Sequence, residues 1–426
     1  MEQPSDFEKA TMSKILWKLM PFLCVCYMAA FLDRVNVGFA KEQMMADLGI
    51  STAAYGLGAG IFFIGYFLFE VPSNLILERM GARVWIARIM VTWGIISSAM
   101  MFVTGEWSFY VLRFLLGAAE AGFFPGVIFY MTQWFPASYR SRTVAIFMTA
   151  AVVSSVIGSP VSGLLLEMDG TLGLSGWKWL FLVEGLPSIV LGVATFLVLP
   201  NAPREAKWLS DEECGWLESR IESERARAGQ QGHLTVMQGL TDPRVLLLSV
   251  VYLSNVVGGY GLDFFQPTLV QQVFPEATSL QVGYFNAIPA LLTVFVMNFW
   301  GRSSDRRGER KWHFAVAGWC SGVGLLLASL PLPPAVALSA LVLAVAGRWS
   351  AMAPFWGLST TFLSGRAAAG AIALINSVGN LGGFGGPYIM GWFKDTTGDY
   401  VIGLRILAGV MFLGAFLALT AKARRA

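Results

Sequence analysis

Long apolar runs alternate with short polar breaks along this chain. Most runs have the length, about 20 residues, that crosses a bilayer as a helix. Twelve can be drawn, over residues 16–40, 53–77, 84–104, 107–134, 143–167, 177–199, 244–271, 279–300, 313–330, 335–363, 369–393 and 400–421. Only the turn at 331–334, Pro-Leu-Pro-Pro, separates the ninth from the tenth. The pattern predicts an all-α membrane protein with 12 transmembrane helices in two six-helix bundles, residues 1–199 and 244–426, joined by a polar linker over 200–243. Inside the linker, Ser210 followed by Glu213 reads as a capping box, and Trp216, Leu217 and Ile221 share one helical face. A short amphipathic helix on the inner membrane surface is expected there.

The halves carry signs of a repeat. A shift of 227 residues takes Gly81 to Gly308, Phe135 to Phe362 and Pro160 to Pro387, each at the same topological place. Parallel six-span repeats put the ligand site near the bilayer midplane, between the halves. Lys and Arg set the orientation, because basic loops stay in the cytoplasm. Lys9, Lys14, Lys18, Arg140, Arg142 and the tail KARRA fall on one side, so both termini are predicted to be cytoplasmic.

Composition agrees with a lipid environment. Hydrophobic residues make up 55% of the chain and charged residues 13%, against about 25% charged in soluble domains. The net charge of +3 is spread around span ends and forms no continuous patch, which argues against nucleic acid as a partner. Cys24 and Cys26 point to different sides of one helix, and Cys214 and Cys320 lie elsewhere. They suggest buried thiols, not a disulfide framework or a metal site. No catalytic Ser/His/Asp set and no phosphate loop emerges, so neither an enzyme nor a cofactor is expected.

The chemistry lies in charges inside the spans. "AAFLDRVNVGFA" ends the first span with Asp33 and Arg34 side by side. A charge near the bilayer centre costs roughly 2.5 to 3.5 kcal/mol on insertion scales, which makes both functional candidates. In span 4, Arg113 and Glu120 are seven residues apart, on one face and about 10 Å apart along the axis. The two arginines fall at similar depth. Together they suggest a cationic pocket for an organic anion, while burial and neighbouring charge let Asp33 and Glu120 exchange protons. His233 and His313 fall in or beside loops, so proton coupling would need carboxylates. The alternative is two structural ion pairs. Glu70 and Glu184 suggest helix packing or gating. Asp263 maps by the 227 shift onto Asn36, and Arg348 lies in span 10. These two either pair, or Arg348 grips a second carboxylate or a polar substrate tail.

The string "GRSSDRRGER" between spans 8 and 9 resembles the loop motif of the major facilitator superfamily, through Gly301, Asp305, Arg306, Gly308 and Arg310. The first half keeps Arg79, Gly81 and Arg83 but has Asn74 and Glu78 where Gly and Asp are usual. The resemblance implies gating roles for these residues. "RFLLGAAEAGFFPG", "GWKWLFLVEGLP" and the glycine-rich span-11 string are similar to the anion:cation symporter family, which includes galactonate, tartrate, phthalate and 4-hydroxyphenylacetate permeases. That likeness implies proton coupling at Asp33 and Glu120 and substrate binding at Arg34 and Arg113. It also implies that Tyr66, Trp356 and Asn376 line the cavity. The expectation is proton-coupled symport of a small organic anion by alternating access, by a monomer in the cytoplasmic membrane. Protons would be the coupling ion. "IGSPVSG" weakly resembles an antiporter motif, so a proton-driven exporter of drugs or cations is the rival, and a non-transporting membrane sensor a further one.

Overall fold

The computed structural model describes residues 5–230, 242–362 and 366–421, and the structure among them is helical. The first half comprises α1 (Asp6–Val35), α2 (Val37–Leu48), α3 (Thr52–Met80), α4 (Ala82–Ala99), α5 (Glu106–Glu120), α6 (Phe123–Thr132), α7 (Ala137–Leu166) and α8 (Gly176–Val198). Helix α9 (Asp211–Gln230) belongs to the linker. The second half comprises α10 (Pro243–Asp263), α11 (Gln266–Val273), α12 (Ser279–Arg307), α13 (Lys311–Ala328), α14 (Pro334–Ser350), α15 (Met352–Phe362), α16 (Arg366–Asn380), α17 (Gly382–Thr397) and α18 (Val401–Thr420).

These helices make 12 spans, as the hydropathy pattern predicts, and ten are long and apolar enough to cross a membrane. The other two places belong to α13, packed on α14 and α18, and to α16–α17, packed along α3 and α10. Spans 1, 4, 7 and 10 are each two helices broken near the middle, at Asn36, at Ala121–Gly122, at Phe264–Phe265 and at Ala351. Gly122 has φ 90°, and a side chain there would run into Ser73, so the span-4 break needs glycine. Backbone freed at such breaks is tolerable in a membrane only where protein or a polar cavity covers it. The carbonyls of Val37 and Phe264, beside two of the breaks, both accept from the Tyr55 hydroxyl, at 3.1 and 3.2 Å.

The halves meet along two seams, α3 against α17 and α7 against α12. Both are closed by glycine against backbone, and the 227 shift relates one to the other. A Cβ on Gly56 would sit 3.1 Å from the Pro387 carbonyl carbon, and a Cβ on Gly283 would sit 3.0 Å from the Pro160 Cα. An acid from the facing helix bonds the start of each partner: Asp395 accepts from Ala53 N at 2.7 Å, and Glu167 accepts from Leu280 N at 3.0 Å. The described glycine contacts between halves lie toward one face, the one opposite the face that carries the amino terminus and α9. Lys41 reinforces this opposite face. It is buried on α2 and donates across to Tyr400 Oη at 2.9 Å and Thr268 Oγ1 at 3.3 Å.

At the terminal face, the linker helix begins as its sequence predicts. Ser210 Oγ accepts from Glu213 N at 3.2 Å, and Glu213 Oε2 accepts from Ser210 N at 2.8 Å. The apolar residues of this helix pack on protein. Leu217 and Ile221 are buried, Phe7 meets Trp216 edge to face, and Lys14 Nζ reaches Glu213 at 2.7 Å. The apolar face is covered by the first bundle, which removes the drive to seek lipid.

Candidate functional site: an arginine cluster between the halves

Close helix approach builds the first wall of the site. Gly65 and Gly117 let α3 and α5 touch backbone to backbone. That contact puts Arg113 of α5 beside Phe62 of α3. Arg113 is fully buried, with its guanidinium 5.0 Å from the Phe62 ring centroid and 5.6 Å from that of Phe264 in the other half. Its Nη2 donates to the Ala59 carbonyl at 3.1 Å. Nε and Nη1 are buried without an acceptor among the described residues. Arg113 therefore carries a buried charge with no carboxylate against it and two donor sites unused.

Arg34 also lies against Phe62, at 5.3 Å from the centroid. Its Nη2 forms an ion pair with Glu120, and its Nη1 donates to Tyr260 Oη of α10 at 2.7 Å. The Tyr66 ring lies 5.5 Å from the same guanidinium. Neither ion pair considered from sequence order is present: adjacent Asp33 and Arg34 point about 100° apart, and Arg113 and Glu120 share a face but lie about 10 Å apart along the axis. Arg34 faces the seam, while Asp33 turns into the first bundle. There Asp33 is 1% exposed and accepts from Trp93 Nε1 at 2.9 Å, Ser97 Oγ at 2.8 Å and Ser188 Oγ at 2.5 Å.

The second half adds Arg348 and Asp263, whose Nη1 and Oδ2 are 2.5 Å apart. The Tyr260 ring lies 5.3 Å from the Arg348 guanidinium, so a single tyrosine separates Arg34 from Arg348. Phe264 stacks on Tyr260, with centroids 5.7 Å apart, and also borders Arg113. Three guanidiniums thus surround one aromatic lattice with two carboxylates, Glu120 and Asp263, among them.

Of the other residues singled out from sequence, Tyr66 belongs to this cluster. Asn376 crosses the α3 seam instead, donating to Glu70 Oε1 at 2.8 Å, while Ser377 Oγ donates to Glu70 Oε2 at 3.0 Å. Trp356 packs edge to face on Tyr252 at 5.2 Å. Glu184 accepts from Ser162 Oγ at 2.6 Å within the first bundle. In the loop motifs, Gly81 and Gly308 have φ 86° and 63°, conformations that favour glycine. Arg83 lies 3.6 Å from Glu205 of the linker, and Arg310 pairs with Asp305 at 2.5 Å while lying across Gly357 of α15. Gly301 faces Ala353. Glu78, Arg79 and Arg306 are exposed at the terminal face. His233 and Arg366's side chain lie outside what is described.

Sequence reasoning missed Phe62, Tyr260 and Phe264, which read as ordinary apolar span residues. A signal for Tyr260 was present: the 227 shift carries it onto Asp33.

The architecture defines a class. Twelve spans in two repeated halves, with glycine seams closed at one face and unneutralised charge where the halves meet, make a multi-pass membrane carrier. The chain belongs to the major facilitator superfamily, whose family model matches residues 23–387. It is a transporter and not an enzyme. A protein of Agrobacterium vitis provisionally named a tartrate transporter is 49% identical over 97% of this chain and 95% of its own length. A quinolone resistance transporter of Acinetobacter baumannii is 44% identical over 97% of this chain and 95% of its own. In fold, the chain is similar to the xylose transporter XylE from E. coli in a partially occluded inward open conformation, with TM-score 0.76, 12% identity, and 95% of this chain and 99% of that one covered.

Proposed function

We propose that this protein takes up a small organic anion, a carboxylate, by proton-coupled symport across the cytoplasmic membrane of a bacterium, its terminal face inside. The observation that carries the reading is Arg113, a fully buried guanidinium with two unused donor sites and no acidic partner among the described residues. Such a group favours an anion that enters without having to displace a protein carboxylate. The name of the A. vitis relative supports a carboxylate cargo, and the origins of both relatives support a bacterial membrane.

Glu120 supplies the coupling. A proton on Glu120 removes the negative partner of Arg34, and two guanidiniums beside Phe62 are then available to the anion. With a doubly charged cargo and the proton both aboard, the three guanidiniums are matched by Asp263 and the two cargo charges, and the halves can close over them without stranding a charge in low dielectric. Release of the proton to the cytoplasm lets Glu120 reclaim Arg34 and expel the anion.

The test is binding and transport by the purified protein. Carboxylates should raise its unfolding temperature, and Arg113→Ala should abolish the rise. Proteoliposomes with an alkaline interior should accumulate the same compound. Accumulation only against an acidic interior would favour the second reading, an exporter, which the name of the A. baumannii relative supports.

A further inference from the structure

The proposal rests on the carboxylate reading above and concerns the other end of the site. A small cavity of about 40 Å³ lies between the halves, walled by α1, α2, α7, α10, α11, α12 and α14. Asp263 lines it, as do Asn36, Gln266 and Asn286. The cavity therefore touches the arginine cluster through one carboxylate.

Two observations suggest what the cavity is for. Asn286 is 7% exposed, and its Nδ2 donates to Ser159 Oγ at 2.9 Å. Its Oδ1 has no partner among the described residues, an acceptor waiting for a hydroxyl. Arg348 commits one nitrogen, Nη1, to Asp263, although a guanidinium has five N–H donors in a planar fork that suits a carboxylate bidentately. Its flat approach to α10 depends on Gly259, where a Cβ would meet the Arg348 side chain, 2.8 Å from Cδ.

The placement separates this pair from a mere helix clamp. Asp263 is the last residue of α10, at the break of span 7, and Arg348 lies in the last turn of α14, just before the break of span 10. Both thus stand where the spans are interrupted. Arg348 also shares the Tyr260 ring with Arg34. An anion held by Arg113 and Arg34 at one end therefore has a third guanidinium against the same Tyr260.

We infer that Arg348 is a second anion-binding group, held by Asp263 in the empty carrier and transferred to the distal carboxylate of a hydroxylated dicarboxylic acid on binding. Asp263 acts as an internal stand-in for that carboxylate. Asn286 Oδ1 accepts from a hydroxyl between the two acid groups.

The experiment compares paired probes on the full-length protein in detergent: tartrate against glycerate, and succinate against butyrate, by calorimetric titration. The wild type should bind each dicarboxylate at least about tenfold more tightly than its monocarboxylate partner. Arg348→Gln should lower that ratio to within about twofold, by weakening the dicarboxylate far more than the monocarboxylate. Asp263→Asn, which removes the competing acid, should preserve or raise the ratio. If Arg348→Gln does not fold, the double variant D263N/R348Q leaves no lone buried charge and should show the same lost ratio. Equal binding of the paired probes by the wild type, or a ratio unchanged when Arg348 is replaced, overturns the subsite alone. A wild type that binds none of the four probes, nor any other carboxylate, overturns the carboxylate reading itself.

Discussion

Replacing Arg113 with methionine separates a binding arginine from a structural one. The substitution keeps an unbranched chain of similar length and removes the charge. In the empty protein, Arg113 has two buried donor sites without acceptors, each costing about 1–3 kcal/mol. Against this stand one hydrogen bond to Ala59, worth about 1.5–3 kcal/mol for a charged donor. Two ring contacts, with Phe62 and Phe264, also stand against it, at about 0.5–2 kcal/mol each. The terms nearly cancel, so Arg113→Met should unfold within about 1 kcal/mol of the wild type, or be more stable. A structural buried ion pair would lose about 3–5 kcal/mol on removal of one partner. Ligand should behave oppositely. A carboxylate at 100 times its Kd stabilises the wild type by about 2.7 kcal/mol. Loss of two charge-assisted bonds weakens binding at least about 100-fold, which cuts that stabilisation to about 0.4 kcal/mol. The assay is denaturant unfolding of detergent-purified protein, with and without ligand. A variant that loses more than about 3 kcal/mol when empty yet keeps its full ligand-induced stabilisation would refute the reasoning.

Glu120→Gln should keep counterflow exchange of substrate in proteoliposomes but lose accumulation driven by a pH gradient; loss of both by a folded variant would remove Glu120 from coupling. Gly283→Val puts a branched side chain against Ser159 and Pro160, so the α7–α12 seam should stay open, read as a longer spin-label distance across the opposite face and at least about tenfold slower transport. Lys41→Met removes the bonds to Thr268 and Tyr400 and should shift the same distance distribution toward the open form, with fold intact. Glu309 lies outside the spans, where partial burial raises its pKa but bonds from Trp312 N–H and His313 outweigh that and leave it below the usual glutamate value. Its stabilising effect should therefore be full above about pH 4.3 and fade as pH falls through the lower folded value, so unfolding curves of Glu309→Gln and wild type should converge in acid.

Spans were legible because lipid demands one thing of every exposed turn, and about 20 apolar residues state it plainly. The repeat was legible for a related reason. Gly81 and Gly308 both have positive φ at equivalent turns, and Pro160 and Pro387 stand at equivalent seams, so each pair marks the same topological place twice. Arg34, Arg113 and Glu120 stood out because ionised groups are rare at that depth. Partner choice was not legible. Arg34 follows Asp33 in the chain but meets Glu120, and Asn376 meets Glu70, because those pairings depend on which way two helices face each other. The aromatic lattice was hidden for another reason. Phe62 and Phe264 differ in no local property from the apolar residues that only fill space, and Tyr260 is set apart by its hydroxyl and its place in the repeat.

The seams and the charges belong to one device. Glycine against backbone gives a surface that closes tightly and opens without tearing side-chain bonds. Polar bonds beside these contacts also join the halves, among them Lys41 to Tyr400 and Thr268, Thr268 to Glu42, Tyr55 to Phe264, Thr52 and Ala53 to Asp395, Leu280 to Glu167 and Asn286 to Ser159. A carrier built this way needs its closing decision made elsewhere. The arginine cluster can make it, because Arg34 and Arg348 each bring a carboxylate from their own half while Arg113 brings none. An empty cluster thus retains an excess positive charge, unfavourable to seal between two apolar walls, and a dianion that enters with a proton on Glu120 removes that excess. Rocking of the halves is then gated by charge neutrality at the centre, and the symmetric glycine contacts supply low-friction surfaces on which that gate acts.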